Sequence, residues 1–150
     1  MQIKGLTSED FALNHPAGRL GKRLSLKVTD LMHSGTDNPT VSRSTSWLDV
    51  VTSITRGGLG AVNVVDEEGV LAGIITDGDL RRAIQKSNPD ELAQLNAEAF
   101  MTRKPVTVTP DELAYGALQL MENRPSQISV LPVVDGDLRC LGLLRLHDLV

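Results

Sequence analysis

The sequence predicts an α/β (α+β) fold made of two successive β-α-β-β-α repeats, and three observations predict it. Ala61-Val62-Asn63-Val64-Val65, the turn Asp66-Glu67-Glu68-Gly69 and Val70-Leu71-Ala72-Gly73-Ile74-Ile75 read as a hairpin with β-branched arms. Trp47, Val50, Val51 and Ile54 recur at helical spacing behind Ser44, Thr45 and Ser46, any of which can cap a helix. The pattern then occurs twice: Met32 and Met101, Asp66 and Asp135, Gly73 and Gly142, Asp79 and Asp148, and Leu80 and Leu149 all stand 69 positions apart. Across the first helix of each repeat the offset is 67, matching Val50 with Ala117, Val51 with Leu118 and Ile54 with Met121. The loop from Asn123 to Gln127 absorbs the difference, as loops tolerate length changes that strand register does not.

Taken in order, residues 1–24 carry no sustained apolar period. Thr7 or Ser8 can cap a short helix, which Asn14-His15-Pro16-Ala17-Gly18 breaks. Val28 to Met32 leads into a loop, His33 to Asn38, and a strand, Pro39-Thr40-Val41. The helix after Ser46 ends at Arg56-Gly57-Gly58, a cation followed by glycines, as helix C-termini prefer. After the hairpin, a helix from Asp79 to about Lys86 closes the first repeat. Ser87-Asn88-Pro89-Asp90 is a turn, and Glu91 to Glu98 a connecting helix with Leu92 and Leu95 inward. The expected division is 1–27 as the end of a preceding domain with its linker, 28–87 as repeat 1 and 88–150 as repeat 2. The second closing helix is expected to be truncated, and the chain to be a piece of a longer protein.

Composition excludes several classes. Net charge is −4 and aromatics are 3% of 150 residues, too few for a nucleic-acid stacking platform and without a basic field to attract a polyanion. The single cysteine, Cys140, permits no intramolecular disulfide and no cysteine metal cluster; it reads as a buried, inert thiol. No His pair stands at metal-ligand spacing, no Ser-His-Asp arrangement is evident, and no apolar run reaches the ~20 residues of a membrane span. A cytoplasmic protein that binds no metal is the expectation.

The chemistry gathers at Gly73-Ile74-Ile75-Thr76-Asp77-Gly78-Asp79-Leu80, where a buried strand runs into a helix with acidic groups in its first turn. A Thr76 hydroxyl, Asp77 and Asp79 there can grip the vicinal hydroxyls of a nucleotide; alternatively, the Asp simply caps the helix. In repeat 2 the corresponding junction carries Arg145, His147 and Asp148, and Arg103-Lys104 lies ahead of that repeat's first strand. A long cation at a junction suits a carboxylate or phosphate, which places Arg145, Lys104 and Arg103 among the anion-binding candidates. Trp47 reads as helix-face core.

Two units of this kind, each with an apolar strand, a glycine and an acidic residue at the hairpin-to-helix junction, resemble a CBS domain pair over residues 28–150. That resemblance implies two units packed with pseudo-twofold symmetry, clefts that bind a regulatory nucleotide, and ribose-binding roles for Asp79 and Asp148. Thr76 falls on the family's hydroxyl position, whereas Arg145 replaces it in repeat 2, a departure from the family's adenosine mode. His33, just before a first strand, borders the implied cleft. Further upstream, Asp10-Phe11-Ala12-Leu13-Asn14-His15-Pro16-Ala17-Gly18-Arg19-Leu20-Gly21 is similar to the junction between isomerase domain and CBS pair in the arabinose 5-phosphate isomerases, with Ala17 departing from a glycine. This implies the regulatory half of an enzyme of Kdo and lipopolysaccharide synthesis, in which His15 serves catalysis only in the parent. The chain itself is expected to be no enzyme and to need no cofactor. Its expected ligand is CMP-Kdo, the pathway's end product, or an adenine nucleotide. Its expected partner is a second copy, as a homodimer within a tetrameric parent; a structural dimerisation module without ligand is the alternative.

Overall fold

The structure, a computed structural model, describes residues 22–125 and 127–150. The expectations placed on residues 1–21, His15 and the isomerase-like junction included, lie outside the described residues. Helix α1 (Val28–Leu31) leads into strand β1 (His33–Ser34), a 3-10 turn (Gly35–Asp37) and β2 (Thr40–Ser42). Helix α2 (Trp47–Gly57) crosses over to β3 (Ala61–Val65), and the chain returns as β4 (Leu71–Thr76) before α3 (Asp77–Lys86). After α4 (Pro89–Gln94) the plan recurs as α5 (Ala97–Phe100), β5 (Thr102–Arg103), α6 (Ala114–Glu122), β6 (Val130–Val134), β7 (Cys140–Arg145) and α7 (Leu146–Leu149).

Of the three candidate caps before α2 it is Ser46 that starts the helix, while the closing helix α3 begins at Asp77, two residues before Asp79. Ser46 accepts from the Asp49 amide at 3.3 Å, and Val50 and Ile54 point inward from α2. Their counterparts at the offset of 67, Ala117 and Met121, are buried on α6. Trp47 packs against Phe100 with ring centroids 5.1 Å apart, in keeping with a role in packing. The connecting helix expected over 91–98 is instead two helices. Leu95 is extended, and the Asn96 side chain accepts from the Ala99 amide at 3.2 Å, capping a new helix. In repeat 2 the counterpart of β2 is reduced to one parallel bridge, Val108 with Val133. Pro132 and Pro110 flank that bridge and have no N–H to extend a ladder.

Two sheets form, in the orders β2-β3-β4-β5 and β1-β7-β6. Parallel β2 and β3 require the crossover that α2 supplies, while the remaining pairs are antiparallel. The first strand of each repeat joins the other repeat's sheet: His33 and Ser34 pair with Leu143 and Gly142, and Thr102 and Arg103 with Ile74 and Gly73. The preceding short helices follow. Val28 is fully buried in a cluster with Val108, Ala114, Ala117, Met121, Leu131, Val133, Leu144 and Leu149. Ala97 and Met101 are buried with Val41, Val50, Ile54, Val62, Val64 and Ile75. Each repeat therefore completes the other's core.

This exchange explains the glycine present in both hairpins. A Cβ on Gly73 would sit 2.6 Å from the Thr102 carbonyl oxygen, and one on Gly142 would sit 2.5 Å from that of His33. The visiting strand can approach only a residue without a side chain. The pseudo-twofold axis passes between the hairpin tips, where Val70 bridges Arg139. Across it the Leu71 amide donates to the Leu138 carbonyl and the Cys140 amide to the Gly69 carbonyl, both at 2.9 Å. A small third cluster, Ala61, Ile74 and Leu143, joins the two sheets face to face.

Candidate functional site

Both strand-to-helix junctions open into one hollow of about 970 Å³ between the two sheets. One wall carries Leu59, Gly60, Ile74, Thr76, Asp77 and Gly78; the opposing wall carries Ile128, Ser129, Val130, Arg145, Leu146 and His147. Five residues of each wall correspond at the repeat offset of 69, all but Ile74 and Val130, and the hydrogen bonds that shape the walls correspond too. The Asp77 amide donates to the Gly60 carbonyl at 3.1 Å, and the Leu146 amide to that of Ser129 at 2.7 Å. Segment exchange closes one side with Thr102, Lys104, Pro105 and Val106.

The hollow is basic although the protein is acidic. Arg81, Arg82, Lys104, Arg124 and Arg145 line it against a single side-chain carboxylate, that of Asp77. Arg82 donates to Asp79, and Arg145 Nη2 donates to Asp148 at 3.0 Å. Arg81, Lys104 and Arg124 have no carboxylate within 4.0 Å among the described residues.

Asp79 and Asp148 sit behind this lining with their oxygens already engaged. Asp79, 6% exposed, accepts from the Thr76 amide at 2.9 Å, from the Thr76 hydroxyl at 3.2 Å and from the Thr102 hydroxyl at 3.0 Å, in addition to Arg82. Its own amide donates to the Thr76 hydroxyl at 3.3 Å, completing a capping box. Asp148 accepts from the Arg145 amide at 2.8 Å and from the Arg145 guanidinium, and His33 Nε2 lies 3.1 Å from both of its oxygens. Burial pushes the Asp148 carboxyl up, but hydrogen bonds from Arg145 and His33 outweigh it and hold the carboxyl below its ordinary value of 3.8. The two arrangements are related by the repeat: Thr102 stands to Asp79 as His33 stands to Asp148.

Of the residues singled out from sequence, Thr76, Asp77, Lys104, Arg145 and His147 line the hollow. Asp79, Asp148 and His33 form the layer behind it, while Arg103 turns away to Glu98, donating to its carbonyl at 3.3 Å. Arg81 and Arg82, cations in a helix's first turn where the dipole disfavours them, line the hollow as well, whereas nothing in their local sequence marks Arg124 or Thr102 as site residues. The signal for Thr102 in the sequence is its offset of 69 from His33.

Another cluster lies in the core. Asn63, fully buried, donates through Nδ2 to Asn38 Oδ1 at 2.9 Å and to the Gly142 carbonyl at 3.1 Å, while Asn38 Nδ2 donates to Cys140 Sγ at 3.5 Å. Burial raises the Cys140 thiol above its ordinary value of 9.0 despite that hydrogen bond. Among the described residues no group of His, Cys, Asp or Glu is arranged to hold a metal ion, and no helix is long and apolar enough to cross a membrane.

Paired repeats, exchanged first strands and a polar hollow between the sheets define a tandem-repeat α/β module. The chain belongs to the CBS domain family, whose family model matches it twice, over residues 28–86 and 97–150. Among solved structures, the CBS domain pair of protein MJ0100 in complex with 5'-methylthioadenosine and S-adenosyl-L-methionine is 27% identical with a TM-score of 0.69, covering 81% of this chain and 90% of that one. The CBS-domain containing protein ATU1752 from Agrobacterium tumefaciens is 25% identical with a TM-score of 0.71, covering 84% and 92%. Over the whole chain, arabinose 5-phosphate isomerase KdsD of Pseudomonas aeruginosa is 45% identical and that of Yersinia pestis 43%. The chain spans 45% and 44% of those two proteins' lengths.

Proposed function

We propose that this chain is the regulatory, nucleotide-sensing CBS pair of a cytoplasmic D-arabinose 5-phosphate isomerase in Kdo and lipopolysaccharide synthesis, and that its ligand is CMP-Kdo. The observation that carries the reading is the basic hollow at the meeting of both strand-to-helix junctions, with five cations against one side-chain carboxylate. CMP-Kdo joins a ribose to a phosphate and a sugar-acid carboxylate, so it supplies vicinal hydroxyls and two anionic groups. Thr76, Asp77 and Asp79 would receive the ribose, while Arg145, His147 and Lys104 would receive the anions. Asp148 and His33 complete the proposed contact set, which leaves out Arg103, turned to Glu98. The identity to KdsD proteins along the whole chain supports the isomerase as parent. The parent would interconvert ribulose 5-phosphate and arabinose 5-phosphate; this chain would have no turnover of its own. Homodimers of the pair within a tetrameric parent complete the proposal.

The engaged state of the carboxylates suggests how binding is transmitted. Ribose hydroxyls that reach Asp79 or Asp148 take over from Thr102 or His33 as donors, which loosens a strand belonging to the other repeat. Strand β1 is joined through α1 to residues 1–27, the direction in which the isomerase domain would lie. A coupling of about 1–3 kcal/mol between the sites is enough for control.

A second reading, an adenine nucleotide, is favoured by the adenosine compounds bound in the MJ0100 pair. A thermal-shift panel of CMP-Kdo, CMP, AMP, ADP, ATP and S-adenosylmethionine separates the two. Ligand at 100 times its Kd adds about 2.7 kcal/mol of stability, a readily measured shift. The largest response is expected from CMP-Kdo, and silence across the panel would leave only a structural dimerisation role. Asp79→Ala is expected to weaken binding by about 10- to 150-fold, in line with loss of one hydrogen bond to a charged group.

A further inference from the structure

The backbone of the hollow is close to symmetric, but its lining is not: Arg145 and His147 stand where the opposing wall has Thr76 and Gly78. Resting on the nucleotide reading above, we propose that Lys104 adds to this asymmetry: it receives the anionic end of the ligand and helps to fix one orientation, with one molecule bound per pair of repeats.

The position equivalent to Lys104 in the first repeat is Gly35, which brings no side chain, and neither Gly35 nor its two successors line the hollow. Lys104, Pro105 and Val106 therefore furnish a wall on one side of the axis only. The backbone at this position is left-handed in both repeats, with φ of 60° at Gly35 and 50° at Lys104. Glycine adopts that region freely, whereas a side chain there is strained. Leu138, with φ of 64°, likewise stands where repeat 1 has a glycine, Gly69, but it lies at a hairpin tip with its side chain half exposed and its backbone engaged, the amide donating to the Asp135 carbonyl and the carbonyl accepting from the Leu71 amide. At Lys104 the strained residue is a cation facing a cavity. Strain retained beside a binding surface points to use of the side chain. Its root is also held firmly: Thr102 is tied to Asp79 and Pro105 follows directly. Arg82 and Arg145 are already matched by carboxylates, so Lys104 retains more of its charge for a ligand. An ammonium acts on a phosphate or carboxylate as a point charge, without demanding a planar partner.

Isothermal titration of the wild-type chain, Lys104→Gly and Lys104→Gln with CMP-Kdo, ADP, cytidine and adenosine tests this. Wild type should bind one molecule of CMP-Kdo or ADP per chain. Both variants should lose about 10- to 150-fold affinity for it, as for removal of a hydrogen bond to a charged group, while nucleoside affinity is unchanged. Lys104→Gly, freed of strain, should melt no lower than wild type. Lys104→Gln, which keeps the backbone as it is, decides the matter if the glycine variant folds poorly. Undiminished nucleotide binding in Lys104→Gln, an equal loss for nucleoside and nucleotide, or two molecules per chain overturns the role of Lys104 alone. A wild-type chain that binds neither CMP-Kdo nor ADP overturns the nucleotide reading, and this proposal with it.

Discussion

His33 Nε2 lies 3.1 Å from each carboxylate oxygen of Asp148, a residue 115 positions further along the chain. The carboxylate only accepts, so the imidazole hydrogen sits on Nε2. The contact ties the first strand of repeat 1 to the closing helix of repeat 2, and Thr102 with Asp79 makes the reciprocal tie. The two ties differ in chemistry: one uses an imidazole beside a guanidinium, the other two hydroxyls and a guanidinium.

The Asp148 tie makes stability depend on acid. Its carboxyl is held below 3.8, the value for an unperturbed Asp, so the unfolded chain takes up this proton first as pH falls. The contribution is fully present above that ordinary value and is lost as pH falls through the lower, folded one. Urea unfolding of the wild type against Asp148→Asn from pH 6 downward checks this. Asp148→Asn is expected to be less stable by about 1–3 kcal/mol near neutrality, with the gap closing on acidification. A gap that stays constant would show that the carboxylate charge contributes nothing.

Close approach of the exchanged strands makes two glycines intolerant. Gly73→Ala and Gly142→Ala would each place a methyl group against a backbone oxygen, at 2.6 Å and 2.5 Å. Each is expected to cost about 1–3 kcal/mol, the usual range for overpacking. Gly136→Ala, with nothing within 4 Å of the new Cβ, is expected to stay within about 0.5 kcal/mol of wild type. Thermal or urea unfolding of the three variants distinguishes these outcomes.

Segment exchange also sets where damage is felt. Val28 is sequentially in repeat 1 but buried among repeat 2 side chains. Val28→Ala is expected to cost about 2 kcal/mol from the methyl groups lost and the cavity left behind. Hydrogen exchange should then quicken first in β6 and β7, leaving β2 and β3 protected. Faster exchange confined to β2 and β3 would contradict the exchanged packing.

Burial raises the Cys140 thiol above 9.0, so little thiolate exists near neutral pH. Alkylation by iodoacetamide at pH 8 should be slower in the folded chain than in the chain unfolded by urea. Equal rates would mean that the thiol is not held as described.

Much of the architecture was legible because it rests on local patterns. The turn at Asp66 is marked by its own side chain, which accepts from the amides of Glu68 at 2.8 Å and Val70 at 2.9 Å, and Asp135 does the same for Asp137 and Arg139. The Ser46 cap and the inward face of α2 follow from spacing in the same way. Strands β1 and β5 were not legible, since two residues carry no period and their partners lie far along the chain. The break at Leu95 was missed because Leu92 and Leu95 fit a continuous helix, while the Asn96 cap and the bond from the Trp47 amide to the Leu95 carbonyl favour two.

The sequence by itself determined the duplicated plan, the hairpins, the principal helix caps and the cations and carboxylates at each junction, because these depend on residues close together in the chain. Only the tertiary structure decided that the repeats exchange first strands, that Asp79 and Asp148 are engaged by Thr102 and His33, and that Lys104 faces the hollow while Arg103 turns to Glu98. Those outcomes depend on which distant backbones can approach at Gly73 and Gly142. A periodicity within one segment carries no record of the segment that crosses it.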